Sequence, residues 1–292
     1  MPDDPTSPAP PFHRIAVLHH PKIAATQTVA RNICDWLAER SYEPWMALTW
    51  DESLVRAQMP QLDLLIVLGG DGSMLRAARM AAGYDIPILG LNMGRLGFLA
   101  EIDPADWPEK LPRVLSGDYW LEERLMLKAS AWRRETWLGD HLALNDVVVS
   151  RESLARVVHL RTQIDGNDLT TYIADGLIVS TPTGSTAYAL AAGGPILPPD
   201  LRNILVIPIA PHLTLDRAIV LSEGSMIRVY VRTDHKAILT VDGQFAVELQ
   251  DGDRIDASTS EHVSRFIRLG ERNYFYHMLL ERLAPRHLSD MD

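Results

Sequence analysis

Apolar residues follow two different patterns along the chain. In the first third, short apolar runs alternate with longer segments whose apolar positions recur every three or four residues. Ile15-Ala16-Val17-Leu18 reads as a strand, and Ala24 to Glu39 places Val29, Ile33, Trp36 and Leu37 at helical spacing. Trp45 to Leu48 reads as a second strand. Next comes Leu64-Leu65-Ile66-Val67-Leu68, an apolar run stopped abruptly by Gly69-Gly70-Asp71-Gly72. This predicts a buried strand, a tight turn and a helix that carries Ser73 and Met74 to Met80 and ends near Ala82. Ile86 to Leu91 is another strand, running into Asn92-Met93-Gly94-Arg95-Leu96-Gly97-Phe98-Leu99. Pro104 to Leu115 has helical spacing. Strands separated by helices predict an α/β domain with a parallel sheet over residues 12–117.

The pattern then changes. From Trp120 to about Leu269, runs of four to eight apolar or β-branched residues are separated by turn signals. Examples are Asp146-Val147-Val148-Val149, Gly176-Leu177-Ile178-Val179-Ser180 and Ile227-Arg228-Val229-Tyr230-Val231. Many are bounded by Asp-Gly or Gly-Asn. This predicts an all-β domain over residues 118–269. A last helix is expected over Arg272 to Leu283, with Tyr276, Leu279, Leu280 and Leu283 on one face. Met1 to Pro11 holds five prolines and no apolar core, the composition of a disordered tail and not of a signal peptide.

Composition narrows the class. The 292 residues are 47% hydrophobic, the balance of a soluble globular protein. No apolar run approaches the roughly 18 residues of a membrane span. The net charge of −10 argues against a broad basic face for nucleic acid, so phosphate must be bound locally, by amides, glycine turns or Mg²⁺. The single cysteine, Cys34, excludes an intrachain disulfide and fits a reducing cytoplasm.

Three stretches carry candidate chemistry. In the first, three glycines in four residues (Gly69, Gly70, Gly72) allow backbone to approach a ligand closely, and the helix start after them favours an anion. Asp71 is the ionisable side chain inside this turn. It could bind a metal or a sugar hydroxyl, or take that hydroxyl's proton. In a parallel sheet, Asp71 and Asn92 both lie beyond the carboxyl ends of the strands, where ligands bind. The stretch is neither a dinucleotide fingerprint, because Leu75 stands at the third glycine position, nor a P-loop, because no Gly-Lys-Ser/Thr follows. In the second stretch, Leu144-Asn145-Asp146, an amide and a carboxylate sit side by side before a strand. The pair suits ribose hydroxyls or an adenine edge, and it equally reads as an Asx turn opening a strand. The third stretch runs from Asp175 to Tyr188. A strand emerges into Ser180, Thr181, Pro182, Thr183, Gly184, Ser185, Thr186, Ala187 and Tyr188, a polar uncharged cradle, with a helix expected from Ser185 to Gly193. Gly184-Ser185-Thr186 does not fit a nucleophile elbow. His19-His20, adjacent on a strand, point to different faces and make a poor chelate.

In this order and spacing, the three stretches resemble the NAD kinase family. The most specific is Asp175-Gly176-Leu177-Ile178-Val179-Ser180-Thr181-Pro182-Thr183-Gly184-Ser185-Thr186-Ala187-Tyr188. The resemblance runs from about Leu64 to Leu283 and is supported by Gly193-Gly194-Pro195, Val241-Asp242-Gly243-Gln244 and Phe275-Tyr276-His277-Met278-Leu279-Leu280. It implies an α/β domain, a β-sandwich-like NAD-binding domain, and a C-terminal segment, residues 270–292, packing back on the first. It implies transfer of the γ-phosphoryl group of ATP to the 2′-hydroxyl of the adenosine ribose of NAD. Some bacterial members also accept other nucleoside triphosphates or polyphosphate. A divalent metal, usually Mg²⁺, and a homodimer or homotetramer are implied as well. Carried over, Asp71 is the catalytic carboxylate, and the turn of Gly69, Gly70, Gly72 and Ser73 holds phosphates. Asn145 and Asp146 hold the adenosine, Ser180 to Tyr188 line the dinucleotide site, and Asp175 contacts NAD across a subunit boundary. Many members have Thr at Ser73 and Glu at Asp146, so Asp146 reaches one methylene less far. Two other readings remain open to test: a lipid kinase of the diacylglycerol kinase type, which shares the glycine turn, and a non-catalytic NAD-binding sensor.

Overall fold

A computed structural model describes residues 12–94, 97–152, 156–212 and 214–283. The tail Met1 to Pro11 and the pair Arg95 and Leu96 lie outside the described residues. The chain divides into two compact units, residues 1–122 with 265–292, and residues 123–264.

The first unit opens with strands and helices in alternation. They are β1 (Arg14–His19), α1 (Ala24–Ala38), β2 (Glu43–Leu48), α2 (Glu52–Gln58), β3 (Leu64–Gly69), α3 (Asp71–Ala81), β4 (Ile88–Asn92) and α4 (Trp107–Leu115). The strands pair in parallel in the order β2-β1-β3-β4. The run Leu64 to Leu68 is fully buried, because both faces of a parallel sheet are covered. Each such side chain contributes about 1.5–3 kcal/mol on burial. Leu64, Ile66 and Leu68 share one core with Ile33 and Leu37 of α1 and Leu111 and Val114 of α4. In α1 the buried residues Thr26, Ala30, Ile33 and Leu37 fall on one stripe. Two boundaries differ from expectation. The short α2 buries only Val55 and so left no periodic signal. The helix expected from Pro104 starts at Trp107, after a turn closed by the Asp106 amide on the Asp103 carbonyl.

The second unit is built of strands: β5 (Trp120–Arg133), β6 (Thr136–Ala143), β7 (Asp146–Arg151), β8 (Val158–Ile164), β9 (Asn167–Ala174), β10 (Gly176–Ser180), then the short helix α5 (Tyr188–Ala191), β11 (Asn203–Ile209), β12 (Ile219–Ser222), β13 (Ile227–Arg232), β14 (Ala237–Val241), β15 (Phe245–Leu249) and β16 (Asp253–Arg268). One antiparallel sheet has the order β12-β11-β10-β7-β14-β15. Against it stand β16-β13-β8-β9, also antiparallel, and the β5-β6 pair. Val147 and Val149 of β7 and Leu177 and Val179 of β10 meet Leu160, Val229 and Ile255 in the core between the layers. Val148 and Ile178 face the other way, where Ala189 of α5 and Leu197 cover them. The three-valine run is therefore buried on both faces. β5 and β16 are 14 and 16 residues long, well beyond the expected four to eight, since each carries the chain from one unit into the other.

The last turn of β16 returns to the first unit, where Phe266 pairs in parallel with Ile88. The helix α6 (Tyr274–Leu283) follows. Its inward residue is Phe275, 6.0 Å from Phe98 between ring centroids. The expected apolar face is not the buried one: Tyr276 and Leu280 are 57% and 71% exposed. The side chain of Leu283 lies outside the described residues.

Candidate functional site

In the first unit, the register of β3 on β4 sets Gly69 beside Asn92. The glycine turn and the loop after β4 thus leave the sheet at the same end. The Met93 amide donates to the Gly69 carbonyl at 3.2 Å. Gly70 stands at the N-cap of α3 in an extended conformation and makes no side-chain cap, an arrangement that suits an anion at the helix start. Asp71 is the first residue of α3. Its Oδ2 accepts the Phe98 amide at 3.1 Å and its Oδ1 the Leu99 amide at 3.2 Å. The half-buried carboxylate is thereby fixed from the loop after β4. Gly69 makes room for Ser73, because a Cβ at residue 69 would stand 2.3 Å from Ser73 Oγ. Ser73 Oγ and Asn92 Oδ1 are buried without a hydrogen-bond partner, while Asn92 Nδ2 donates to the Gly94 carbonyl at 3.2 Å. The turn therefore has one hydroxyl, which can donate or accept, and one amide oxygen, which can only accept, to offer a ligand. Gly72 is exposed.

In the second unit, Asn145 and Asp146 open β7. They are held by Asp242, whose carboxylate accepts the amides of Leu144 (3.1 Å), Asn145 (2.8 Å) and Asp146 (3.2 Å). The Asp242 amide returns a bond to the Asp146 carbonyl at 2.9 Å. Burial, reinforced by the charge of Asp242, pushes the Asp146 carboxyl up to about 7. Near neutral pH this group can donate as well as accept a hydrogen bond.

The Ser/Thr cradle divides into framework and surface. Thr181 Oγ1 donates to the Leu144 carbonyl (2.5 Å) and accepts the Gly184 amide (3.1 Å). Ser180 Oγ donates to the Asn145 carbonyl (3.1 Å). Ser185 Oγ donates to the Pro182 carbonyl (2.6 Å) and accepts the Leu197 amide (2.9 Å). These three side chains are buried and tie the cradle to β7 and to the following loop. Thr183 Oγ1 accepts from the buried Arg124 at 3.0 Å. Thr186 and Ala187 are half-buried and Tyr188 is 46% exposed. The helix expected from Ser185 is broken. A 3₁₀ turn, Thr183–Thr186, ends at Ala187 (φ −103°, ψ −122°) before α5 begins. Asp175 makes a two-pronged pair with Arg151, at 2.7 and 3.0 Å.

Asp242 entered the sequence reading only within the Val241-Asp242-Gly243-Gln244 match, with no role of its own, and Arg124 not at all. The Asp-Gly pair at residues 242–243 is a turn signal that pointed to the first, whereas Arg124, inside a strand, carried none. Among the described residues no group of three or more His, Cys, Asp and Glu side chains could hold a metal ion. That donor set does not make an all-protein metal cage. It is compatible with a Mg²⁺ that keeps waters and takes phosphate oxygens.

An α/β domain whose glycine turn opens a helix, followed in the chain by a β-sandwich, is an arrangement that suits a two-domain phosphotransferase. Residues 15–119 match the ATP-NAD kinase N-terminal domain and residues 144–269 the ATP-NAD kinase C-terminal domain. An NAD kinase of Chloroflexus aurantiacus is 41% identical over 272 residues, 93% of this chain and 99% of that protein. One of Heliobacterium modesticaldum is 43% identical, over 85% of this chain and 90% of that one. The crystal structure of an NAD kinase from Archaeoglobus fulgidus in complex with ATP superposes with a TM-score of 0.74 at 27% identity, covering 91% of this chain and 97% of that one. Yeast NADH kinase complexed with NADH shares the fold, with a TM-score of 0.78 at 24% identity over 96% and 90% of the two chains. The chain belongs to the NAD kinase family. Its activity is transfer of a phosphoryl group from ATP to the 2′-hydroxyl of the adenosine ribose of NAD, which sets aside the lipid-kinase and sensor readings. No helix among the described residues is long and apolar enough to cross a membrane.

Proposed function

We propose that Asp71 is the carboxylate that orients the 2′-hydroxyl of NAD and accepts its proton late in transfer. A ribose hydroxyl is a weak nucleophile, and phosphoryl transfer is catalysed mainly by positioning and charge. The observation that carries this reading is the pair of amide bonds that aim the Asp71 carboxylate at the head of α3. The turn of Gly69, Gly70 and Gly72, with Ser73, supplies donors for phosphate, which the unpartnered Ser73 hydroxyl at the helix start supports, while Asn92 offers its Oδ1 as an acceptor for a hydroxyl of the ligand. A Mg²⁺ held mainly by the triphosphate's own oxygens and by water would supply charge neutralisation there.

Asn145 and Asp146 hold the adenosine part of NAD, Asp146 with a carboxyl that both donates and accepts near neutral pH. Thr183, Thr186, Ala187 and Tyr188 line the dinucleotide side, with Ser180, Thr181 and Ser185 as the frame that shapes it. Asp175, braced by Arg151, faces NAD bound to a neighbouring subunit of a homodimer or homotetramer. A free, half-buried Cys34 thiol supports a cytoplasmic setting.

The test is a coupled assay in which NADP is detected by an NADP-specific dehydrogenase. Asp71→Asn should bind NAD with unchanged affinity while turnover falls by roughly 10²-fold or more. Turnover within a few-fold of the parent protein would remove Asp71 from the chemistry.

A further inference from the structure

Arg268, at the end of β16, is 1% exposed. A buried guanidinium is tolerated only when every side of it is met by a partner. Here two carboxylates balance the charge: Nε donates to Glu122 Oε2 at 2.8 Å and Nη1 to Glu101 Oε2 at 3.1 Å. The ring of Tyr274 lies 4.7 Å from the guanidinium carbon, and its hydroxyl donates to Glu122 at 2.8 Å. Glu101 is fixed in turn, since its Oε1 accepts the Leu269 amide at 2.7 Å and the Gly270 amide at 3.1 Å.

The remaining donors go to backbone. Nη2 reaches the Phe98 carbonyl at 3.2 Å, and Nη1 the Leu99 and Ala100 carbonyls at 3.3 Å each. One cation therefore grips three successive carbonyls, in the segment whose amides hold Asp71. The link is tighter than proximity. The Phe98 carbonyl and the Leu99 amide belong to one planar peptide unit, and in a trans peptide the two point in opposite directions. Arg268 holds the carbonyl end of that plane, and Asp71 Oδ1 receives its amide end at 3.2 Å. Rotation of the peptide is blocked from both sides. A cation on the carbonyl also polarises the unit and strengthens its amide as a donor.

We propose that Arg268 is a positioning residue for the phosphoryl transfer. It clamps the segment from Phe98 to Ala100 so that two amides hold the Asp71 carboxylate in its working orientation. The proposal rests on Asp71 being the catalytic carboxylate. Charge balance alone would not need it, because buried ion pairs can often be replaced by apolar side chains of similar volume at little cost in stability.

The experiment is a mutant cycle of Arg268→Met and Arg268→Lys, each with and without Asp71→Asn, in the full chain. Turnover, KM for NAD and melting temperature are measured for each. Arg268→Met should lower kcat by about 10-fold to 100-fold with KM within about threefold, the pattern of a lost transition-state contact. In the Asp71→Asn background it should lower kcat by no more than about threefold, because the group it positions is already gone. A purely structural arginine would instead multiply its loss onto that of Asp71→Asn. Should the Met variant fail to fold, Arg268→Lys keeps the charge between Glu101 and Glu122 with one nitrogen, which cannot span three carbonyls. The same coupling is expected of it. Turnover of both variants within threefold of the parent, or multiplied losses, would overturn the proposal. Asp71→Asn turning over like the parent would instead overturn the reading of Asp71, a result visible in that single variant.

Discussion

Gly97 is packed against Asp71 so closely that a Cβ at residue 97 would stand 1.9 Å from Asp71 Oδ1 and 2.6 Å from its Cγ. The requirement for glycine here is one of space, since residue 97 is not among the glycines at positive φ. Gly97→Ala must push the carboxylate off the Phe98 and Leu99 amides. A displacement of about 1 Å at a positioned group costs about 10²-fold in rate. We expect kcat to fall by that order while NAD affinity holds, as read by the coupled assay and by equilibrium NAD titration. A kcat within threefold of the parent would show that the carboxylate tolerates the shift.

The glycine turn was legible in the sequence because two strong local signals meet there. Five apolar residues in a row need a site buried on both faces, and the glycines end the strand. The three-valine strand after Asp146 was readable for the same reason. What was not legible are contacts between residues far apart in the chain. Arg268 reads as one more charged residue in a strand, and its partners Glu101 and Glu122 lie 167 and 146 residues away. Nor does composition say where a hydroxyl points. Ser180, Thr181 and Ser185 look like ligand donors, yet their hydroxyls are engaged with backbone. The break at Ala187 falls inside Ser185 to Ala192, a stretch with no glycine or proline to announce it.

Gly184 should be as unforgiving as Gly97, for a different reason. A Cβ there would stand 2.2 Å from the Asn145 carbonyl oxygen and 2.5 Å from Ser180 Oγ. The first of these is backbone and cannot rotate away. Gly184→Ala must part the cradle from the start of β7, an overpacking of the kind that costs about 1–3 kcal/mol. We expect a lower urea midpoint at unchanged slope and a raised KM for NAD. An unchanged midpoint would mean that the cradle and β7 can separate freely.

Asp146 gives the fold a pH dependence whose sign is set by its carboxyl lying near 7 in place of the ordinary 3.8. Between about pH 4 and 7 the unfolded chain has released this proton and the folded chain retains it. Stability contributed by the group therefore falls as pH rises through that window and levels off above it. Asp146→Asn removes the titration. Its melting temperature relative to the parent should rise from pH 5 to 7 and then stay flat. A difference independent of pH would show that the carboxyl is ionised in the folded protein throughout.

Asp242 joins both effects, since its carboxylate holds the turn that presents Asn145 and Asp146, and its charge adds to the burial that raises Asp146. Two variants separate the roles. Asp242→Ala leaves the amides of Leu144, Asn145 and Asp146 without that acceptor, and a buried donor left unmet costs about 1–3 kcal/mol. The residue also sits at φ +50°, a conformation that Asp and Asn tolerate better than Ala. Asp242→Ala should therefore lower the melting temperature sharply and raise KM for NAD. Asp242→Asn keeps one carbonyl oxygen at the turn and the same backbone tolerance, so it should lose less of both. It removes the neighbouring charge as well, leaving burial alone to raise Asp146. The pH-dependent loss of stability should then end at a lower pH than in the parent protein. Melting curves from pH 4 to 8 on the three proteins decide it. If the Asn variant keeps the parent's pH profile unchanged, the two carboxyls do not sense one another and Asp242 acts on the turn alone.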